Sequence, residues 1–593
     1  MLTYEDYLIP EHIPPYATLH EMLRESCRRH AGKTAFQMRA GDEGYRQVTY
    51  GRVWEATEAL GKFLLSVGIT SNDKVAVESE NRPEWAIAYF AIMKTKATIV
   101  PIDAQLAFAD VDFILDHSET SVLFISRSIW DRVWKDRLAA HPRLKSVIVF
   151  DPVETNDAKV RLLDRCIEEG ANASFALPQA FSPDDLQEIL YTSGTTGNPK
   201  AVMLTHGNLA SNVAAIHRII HFDDRDRFVS VLPIHHVFEC TVGLLSVIAA
   251  GGTITYAESL KSSSLLANIR ETKATLIVGV PLLFEKLYYG ILRAVEKRPI
   301  HHRIVFRLLL WAVRLGRLSG IEAGKVVFRS LRQKAGLSTI RLAITGGGPL
   351  PYITAKGFRE LGLHLLQGYG LSETSPVLTA STERYDNVRS AGLPLLGVEL
   401  RIFGADPFGI GEIACRGPMV MKGYYRNPEA TAAVMRDGWF LTGDAGYIDR
   451  HGFLHITGRL KNVIVTHGGK NVYPEEIEEK LAASPFVKES LVFGEPESEE
   501  NRGEKVAAVI VPDYELIRES WDEMPHARVH AEPTDQAIAE EIDRAVRGMN
   551  HHLPAYKRVT NWAIHSEELP KTSTRKIKRF LYLHGRRTSP PAP

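Results

Sequence analysis

Cysteine is scarce in this chain of 593 residues: four are present, Cys27, Cys166, Cys240 and Cys415, and no two form a C-x-x-C pair. That excludes a disulfide framework and a cysteine-based zinc site, and it suits a reducing compartment. Net charge is absent too, because 71 Lys and Arg balance 71 Asp and Glu. A protein built to hold duplex nucleic acid usually carries a basic excess, since phosphate neutralisation supplies most non-specific affinity; no nucleic-acid partner is expected. No secretory signal is expected either, as MLTYEDYLIPEHIPPY brings acids and prolines early. The longest uncharged stretch near the middle, 240–257, is interrupted by three glycines. It reads as a buried helix turning into a strand, not a membrane span, and a cytoplasmic protein is expected.

What is present is ordinary globular protein: 45% hydrophobic and 24% charged residues exclude collagen-like, low-complexity and wholly disordered chains. At roughly 150 residues per domain, the length allows about four domain-sized units. Helical patterns at 50–68 and 82–94 alternate with β-rich runs at 74–77, 97–101, 121–125 and 146–150, and the rhythm continues through 340–345. Such alternation predicts α/β architecture with mostly parallel sheets covered on both faces. After about residue 395 the segments become short and turn-punctuated, and from about 450 a compact α/β tail begins. The expected division is a large domain over 1–449, with a β-rich subdomain at about 395–449, and a small α+β domain over 450–593.

The most informative stretch is YTSGTTGNPK, residues 191–200, which follows an apolar strand and precedes a helical pattern near His206. Glycines let backbone N–H groups approach anionic oxygens, hydroxyls donate further bonds, and a lysine adds a point charge. Thr192, Ser193, Thr195 and Thr196 sit among Gly194 and Gly197, and Lys200 closes the loop. The spacing is not G-x-x-x-x-G-K-[ST], so a Walker-type NTPase is not supported. A bare S-G-T-T-G reads equally well as a surface turn.

The full string resembles the phosphate loop of the AMP-forming adenylate family, which includes acyl-CoA synthetases, luciferases and peptide-synthetase adenylation domains. Further motifs follow in that family's order: LPIHHVFE (232–239), ITGGGPL (344–350), QGYGLSET (367–374), WFLTGDAGYID (439–449), GRLKNVIVTHGGKN (458–471) and LPKTSTRKIKR (569–579). The resemblance implies His236 lining the acyl pocket, and the Gly347 and Gly348 turn against adenine. It implies Tyr369 stacked on adenine beside Gly370, and Ser372 at the α-phosphate. Glu373 would hold magnesium together with Thr192, Asp444 would bind the ribose hydroxyls, and Arg459 the ribose and phosphate. Lys461 would mark the hinge of a mobile C-terminal domain, Gly468 and Gly469 would border the pantetheine path, and Lys576 would be the catalytic lysine. Departures stand at Ala201, Asn462, His467 and Arg575, where the family commonly has glycine, an acid, a small residue and glycine.

The implied reaction activates a carboxylic acid with ATP and Mg²⁺ as an acyl-adenylate, releases pyrophosphate, and passes the acyl group to CoA. The segments 278–291, 325–336 and 466–478 resemble the long-chain fatty acid–CoA ligase branch. The alternatives are a ligase loading a carrier-protein phosphopantetheine, and a catalytically idle nucleotide-binding relative. His235 and His236 lack metal-ligand spacing and read as core or pocket histidines, not a zinc site. In RIVFRLLLWAVRLGRLSG (303–320), arginines 303, 307, 314 and 317 fall within about 80° on a helical wheel. One reading is an interfacial helix near anionic head groups, peripheral on the inner face of a membrane. The other is a buried helix whose arginines line a solvent edge.

Overall fold

The computed structural model describes residues 2–192, 199–259, 261–319, 321–496, 503–521, 533–571 and 577–583. The chain folds as two compact units. One comprises Met1–Leu400, Cys415–Phe440 and Arg450–Phe453, and the other Arg401–Ala414, Leu441–Asp449 and Leu454–Pro593.

Two sheets organise the larger unit. The nine-stranded sheet runs in the order Leu393–Pro394, Val377–Ala380, His364–Gly370, Leu342–Thr345, Leu276–Gly279, Arg227–Ser230, Thr253–Tyr256, Thr34–Arg39, Tyr45–Thr49. Its six central strands are parallel, and antiparallel strands close both edges. The eight-stranded sheet runs Gly423–Tyr424, Lys200–Thr205, Leu186–Thr192, Thr98–Ile102, Lys74–Glu78, Val122–Ile125, Ser146–Val149, Val160–Leu162. It is parallel from Leu186–Thr192 outward and antiparallel on the phosphate-loop side. This is the expected α/β plan.

Local chemistry explains the helices that cover these sheets. Tyr50–Ser66 starts where the Thr49 side chain accepts from the Arg52 N–H and ends before Gly68 at φ 86°, the N-cap and left-handed stop that helices favour. Pro83 opens Pro83–Lys94, in which every residue is buried. A helix apolar on all sides must be enclosed. Trp85 and Tyr89 accordingly share one core with Phe36 and Ile254 of the first sheet and Val75 and Ile99 of the second.

The smaller unit is built on a three-stranded sheet, in which Val487–Pro496 pairs antiparallel with Glu504–Pro512 and Asn561–Ile564 adds in parallel. Helices Pro474–Leu481 and Asp535–His551 bury Ile477, Leu481, Ile542 and Val546 with Val492 and Ile510 of that sheet.

Among the described residues no helix is long and apolar enough to cross a membrane. The uncharged stretch near the middle is a buried helix, Glu239–Leu245 followed by Ser246–Ala249, leading to the strand Thr253–Tyr256.

Candidate active site

In the larger unit, strand ends carry the motif residues to one edge of the parallel sheets, the carboxyl edge where open α/β sheets bind ligands. Thr192 ends Leu186–Thr192 and pairs with Lys200, the first residue of the returning strand. The Thr192 hydroxyl donates to the Lys200 carbonyl at 3.3 Å. Ser193, Gly194, Thr195, Thr196 and Gly197 lie outside the described residues.

Beyond Lys200, the chain is clamped by a segment that its motifs did not single out. The strand Gly423–Tyr424 pairs with Val202 and Met203, and the Tyr425 N–H donates to the Ala201 carbonyl at 2.8 Å. Tyr424 then reaches two motif residues at once. Its hydroxyl donates to Glu373 Oε1 at 2.8 Å, and Lys200 Nζ lies 4.8 Å from its ring centroid. Burial pushes the Tyr424 phenol well above its ordinary value, and Glu373 beside it pushes the same way. The hydroxyl therefore stays a donor across the physiological range.

Glu373 sits in the turn Ser372–Thr374, after the strand His364–Gly370. The Glu373 carbonyl accepts from the Met421 N–H at 2.8 Å, and the Ser375 hydroxyl donates to the Met419 carbonyl at 2.9 Å. The acid is thus held from both its backbone and its side chain. Gly370 is sterically required: a Cβ there would lie 1.7 Å from the Pro376 carbonyl oxygen. Gly347 has φ +81°, a left-handed conformation that favours glycine. Gly347 and Gly348 are exposed after the strand Leu342–Thr345, while Tyr369 and Ser372 are half-buried. His236 is half-buried on the turn after Arg227–Ser230, its ring centroid 4.1 Å from that of His235.

In the smaller unit, Asp444 and Arg459 face each other across an antiparallel pair. Arg459 Nε donates to Asp444 Oδ1 at 2.8 Å, and the Asp444 backbone N–H donates to the Thr442 hydroxyl at 3.1 Å. Lys461 follows, its ammonium held down to about 8 first by partial desolvation and then by Arg459 and Arg579. Asn462 donates to Glu475 Oε1 at 2.7 Å, a neutral bond where an acid would face another carboxylate. Gly468 and Gly469 are exposed in the turn closed by the Gly469 N–H on the Thr466 carbonyl at 2.8 Å, and Gly469 has φ +67°. Lys576 and Arg575 lie outside the described residues.

Thr192, Lys200 and Glu373 come together, and Tyr424 is the residue that motif reading missed. Its only sequence signal is the short run Gly-Tyr-Tyr at 423–425, too brief to read as a strand. Electrostatically the group sets an ammonium and an anionic acceptor on one phenol, at the exit of a phosphate-type loop. That is a place for a polyanion with its counter-cation.

Comparison with known proteins gives the family. Residues 23–425 match the family described as AMP-binding enzyme, and residues 476–576 match the AMP-binding enzyme C-terminal domain. The long-chain-fatty-acid–CoA ligase FadD15 of Mycobacterium bovis is 32% identical over 548 residues, covering 88% of this chain and 87% of that protein. A long-chain-fatty-acid–CoA ligase of Bacillus subtilis is 28% identical over 602 residues, covering 96% and 95%. The ATP-bound structure of MatB from Rhodopseudomonas palustris superposes with a TM-score of 0.75 at 26% identity, covering 96% and 99%. The chain belongs to the AMP-binding enzyme family, the adenylate-forming class that contains the acyl-CoA synthetases.

Proposed function

We propose that this chain is an AMP-forming acid–thiol ligase that converts a long-chain fatty acid, ATP and CoA to acyl-CoA, AMP and pyrophosphate. The observation that carries the reading is the Lys200–Tyr424–Glu373 group at the loop exit, in a family whose relatives above are named for this substrate class. A fatty carboxylate oxygen attacks the α-phosphorus of ATP, the bond to the bridging oxygen breaks, and pyrophosphate leaves. The CoA thiolate then attacks the acyl carbon, and AMP leaves with the electrons of the anhydride bond.

Both steps bring anions together, so positioning and charge neutralisation dominate. Lys200 and the loop hydroxyls of Thr192 to Thr196 hold phosphate oxygens, and Ser372 meets the α-phosphate. Glu373, oriented by Tyr424, and Thr192 are the residues that would hold Mg²⁺. When bound, the ion neutralises phosphate charge. Asp444 and Arg459 bind ribose, Tyr369 with Gly347, Gly348 and Gly370 borders adenine, and His236 lines the acyl pocket. A mobile C-terminal domain would bring Lys576 to the carboxylate and α-phosphate for the first step, and Gly468 and Gly469 would border the thiol's path in the second. Cysteines 27, 166, 240 and 415 are unpaired and buried, which supports residence in the cytoplasm.

Peripheral membrane contact through 303–320 is part of the same reading. Helix Ile300–Leu318 buries only Val313 and exposes Ile304 by 50%, Leu308 by 60%, Trp311 by 62% and Leu318 by 85%. Residues 281–336 hold twelve Lys and Arg against three Glu, in a chain of zero formal charge. An apolar face rimmed by cations matches an anionic bilayer.

The test is acid-dependent ATP–pyrophosphate exchange over C2 to C18 fatty acids and several aryl acids, followed by CoA or a phosphopantetheinylated carrier. Exchange peaking at long chains, with CoA discharging the adenylate, is expected. A peak at aryl or short acids overturns the substrate, discharge only by the carrier overturns the acceptor, and no exchange overturns the ligase.

A further inference from the structure

Asp103 follows Ile102 at the end of a parallel strand in the eight-stranded sheet, and His235 and His236 follow a strand of the nine-stranded sheet. The fold brings these two strand ends together. One ligand atom from each of Asp103, His235 and His236 lies within 4.8 Å of the others.

The polar accounting at this point does not close. His235 is 8% exposed and its Nε2 has no hydrogen-bond partner, although Asp103 Oδ2 faces it at 3.6 Å. That separation is too long for a hydrogen bond. A buried nitrogen lone pair or N–H left so is destabilising unless a ligand satisfies it. The other carboxylate oxygen is already used, since Asp103 Oδ1 accepts from the Gln105 N–H at 2.9 Å. Oδ2 is the oxygen aimed at the imidazole.

The turn bearing the histidines is fixed as well. Asn81 donates to the Leu232 carbonyl at 2.6 Å and to the Ser230 hydroxyl at 2.9 Å, and accepts from the Ile234 N–H at 2.9 Å. These bonds fix the backbone that carries the two imidazoles. Zinc bonds to nitrogen or oxygen of about 2.0–2.1 Å place tetrahedral ligand atoms about 3.3 Å apart. The observed 3.6 Å between His235 Nε2 and Asp103 Oδ2 is within a few tenths of an ångström of that span.

We propose that Asp103, His235 and His236 form a three-ligand site for a zinc-class divalent cation, distinct from the Glu373 and Thr192 assigned to Mg²⁺. Two imidazoles and one carboxylate select Zn²⁺ or Co²⁺ over Mg²⁺, which prefers oxygen ligands and keeps its water. The site shares His236 with the acyl pocket proposed above, but its cation binding requires no ligase turnover.

Co²⁺ titration of the tag-free full chain tests it, because Co²⁺ on nitrogen ligands gives visible d–d absorption. One equivalent with such a band is expected in the wild type. Asp103→Asn, which keeps the acceptor for Gln105, and His235→Ala should each weaken binding by at least about tenfold. Millimolar Mg²⁺ should leave the titration unchanged. An unchanged titration in both variants, the absence of a band, or displacement by Mg²⁺ would overturn the proposal. Thermal melts of the metal-free variants check folding, and Asp103→Asn carries the test if His235→Ala does not fold. Mg²⁺-dependent pyrophosphate exchange in the same preparations reports separately on the ligase.

Discussion

At the scale of single residues, Tyr424 joins the two charges that the proposed adenylation needs. Its hydroxyl fixes the Glu373 carboxylate while its ring lies near the Lys200 ammonium. Tyr424→Phe keeps the ring and removes the donor. The Mg²⁺ concentration for half-maximal exchange should rise about tenfold or more, with the melting temperature almost unchanged. An unaltered Mg²⁺ requirement would reduce Tyr424 to a packing role. Glu239 makes a different prediction. It is 1% exposed, accepts from the Ser230 hydroxyl at 2.5 Å, and burial pushes its carboxyl from 4.5 up to about 8. The native state therefore holds a proton that the unfolded chain releases, and this group's contribution to stability falls as pH rises from about 4.5 to about 8. Glu239→Gln keeps an acceptor and removes that titration. Its melting temperature relative to wild type should climb between pH 5 and pH 8, and a constant difference would contradict a protonated Glu239. Of these two residues, Glu239 was visible within its motif, whereas Tyr424 was not. A two-residue edge strand has no periodicity to read, and its partners come from distant parts of the chain.

At the scale of elements, helix Ile300–Leu318 carries the clearest difference between sequence and structure. Both sequence readings put the arginine stripe outward. The helix is not buried, since among its residues only Val313 is; Arg314 forms a paired bond with Glu360 at 2.7 and 3.0 Å, with the Glu360 side chain 3% exposed, and Arg317 approaches Glu322 at 3.7 Å. A buried carboxylate left without its cation would cost several kcal/mol, so Arg314, its side chain 51% exposed, pairs with Glu360 from the edge of the helix, while Leu308, Trp311 and Leu315 face solvent. A helical wheel defines two faces but does not say which one meets the protein. Flotation with anionic vesicles tests the consequence. Replacing Leu308, Trp311 and Leu315 with serine should abolish flotation while exchange with a short soluble acid persists. Binding that survives the triple substitution would rule out this face as the contact.

At the scale of the whole molecule, Thr192, Lys200, His236 and Glu373 lie in the larger unit, and Asp444, Arg459 and Lys461 in the smaller one. The proposed roles separate the half-reactions. Lys576→Ala should reduce adenylation by at least about 10²–10³ and spare thioester formation from preformed acyl-adenylate, measured as acyl-CoA release. Equal loss of both steps would show that one lysine position does not serve the first step alone. The sequence by itself determined the α/β plan and the adenylate-forming family. Alternating periodicity and contiguous motifs are local, and they survive without knowledge of what packs on what. Only the tertiary structure decided that Tyr424 touches Glu373, that Ile300–Leu318 shows its apolar arc to solvent, and that Asp103 meets His235 and His236. Each depends on a contact between strand ends or helices remote in the chain, which is set by sheet order and by the cost of leaving a buried charge or polar atom without a partner.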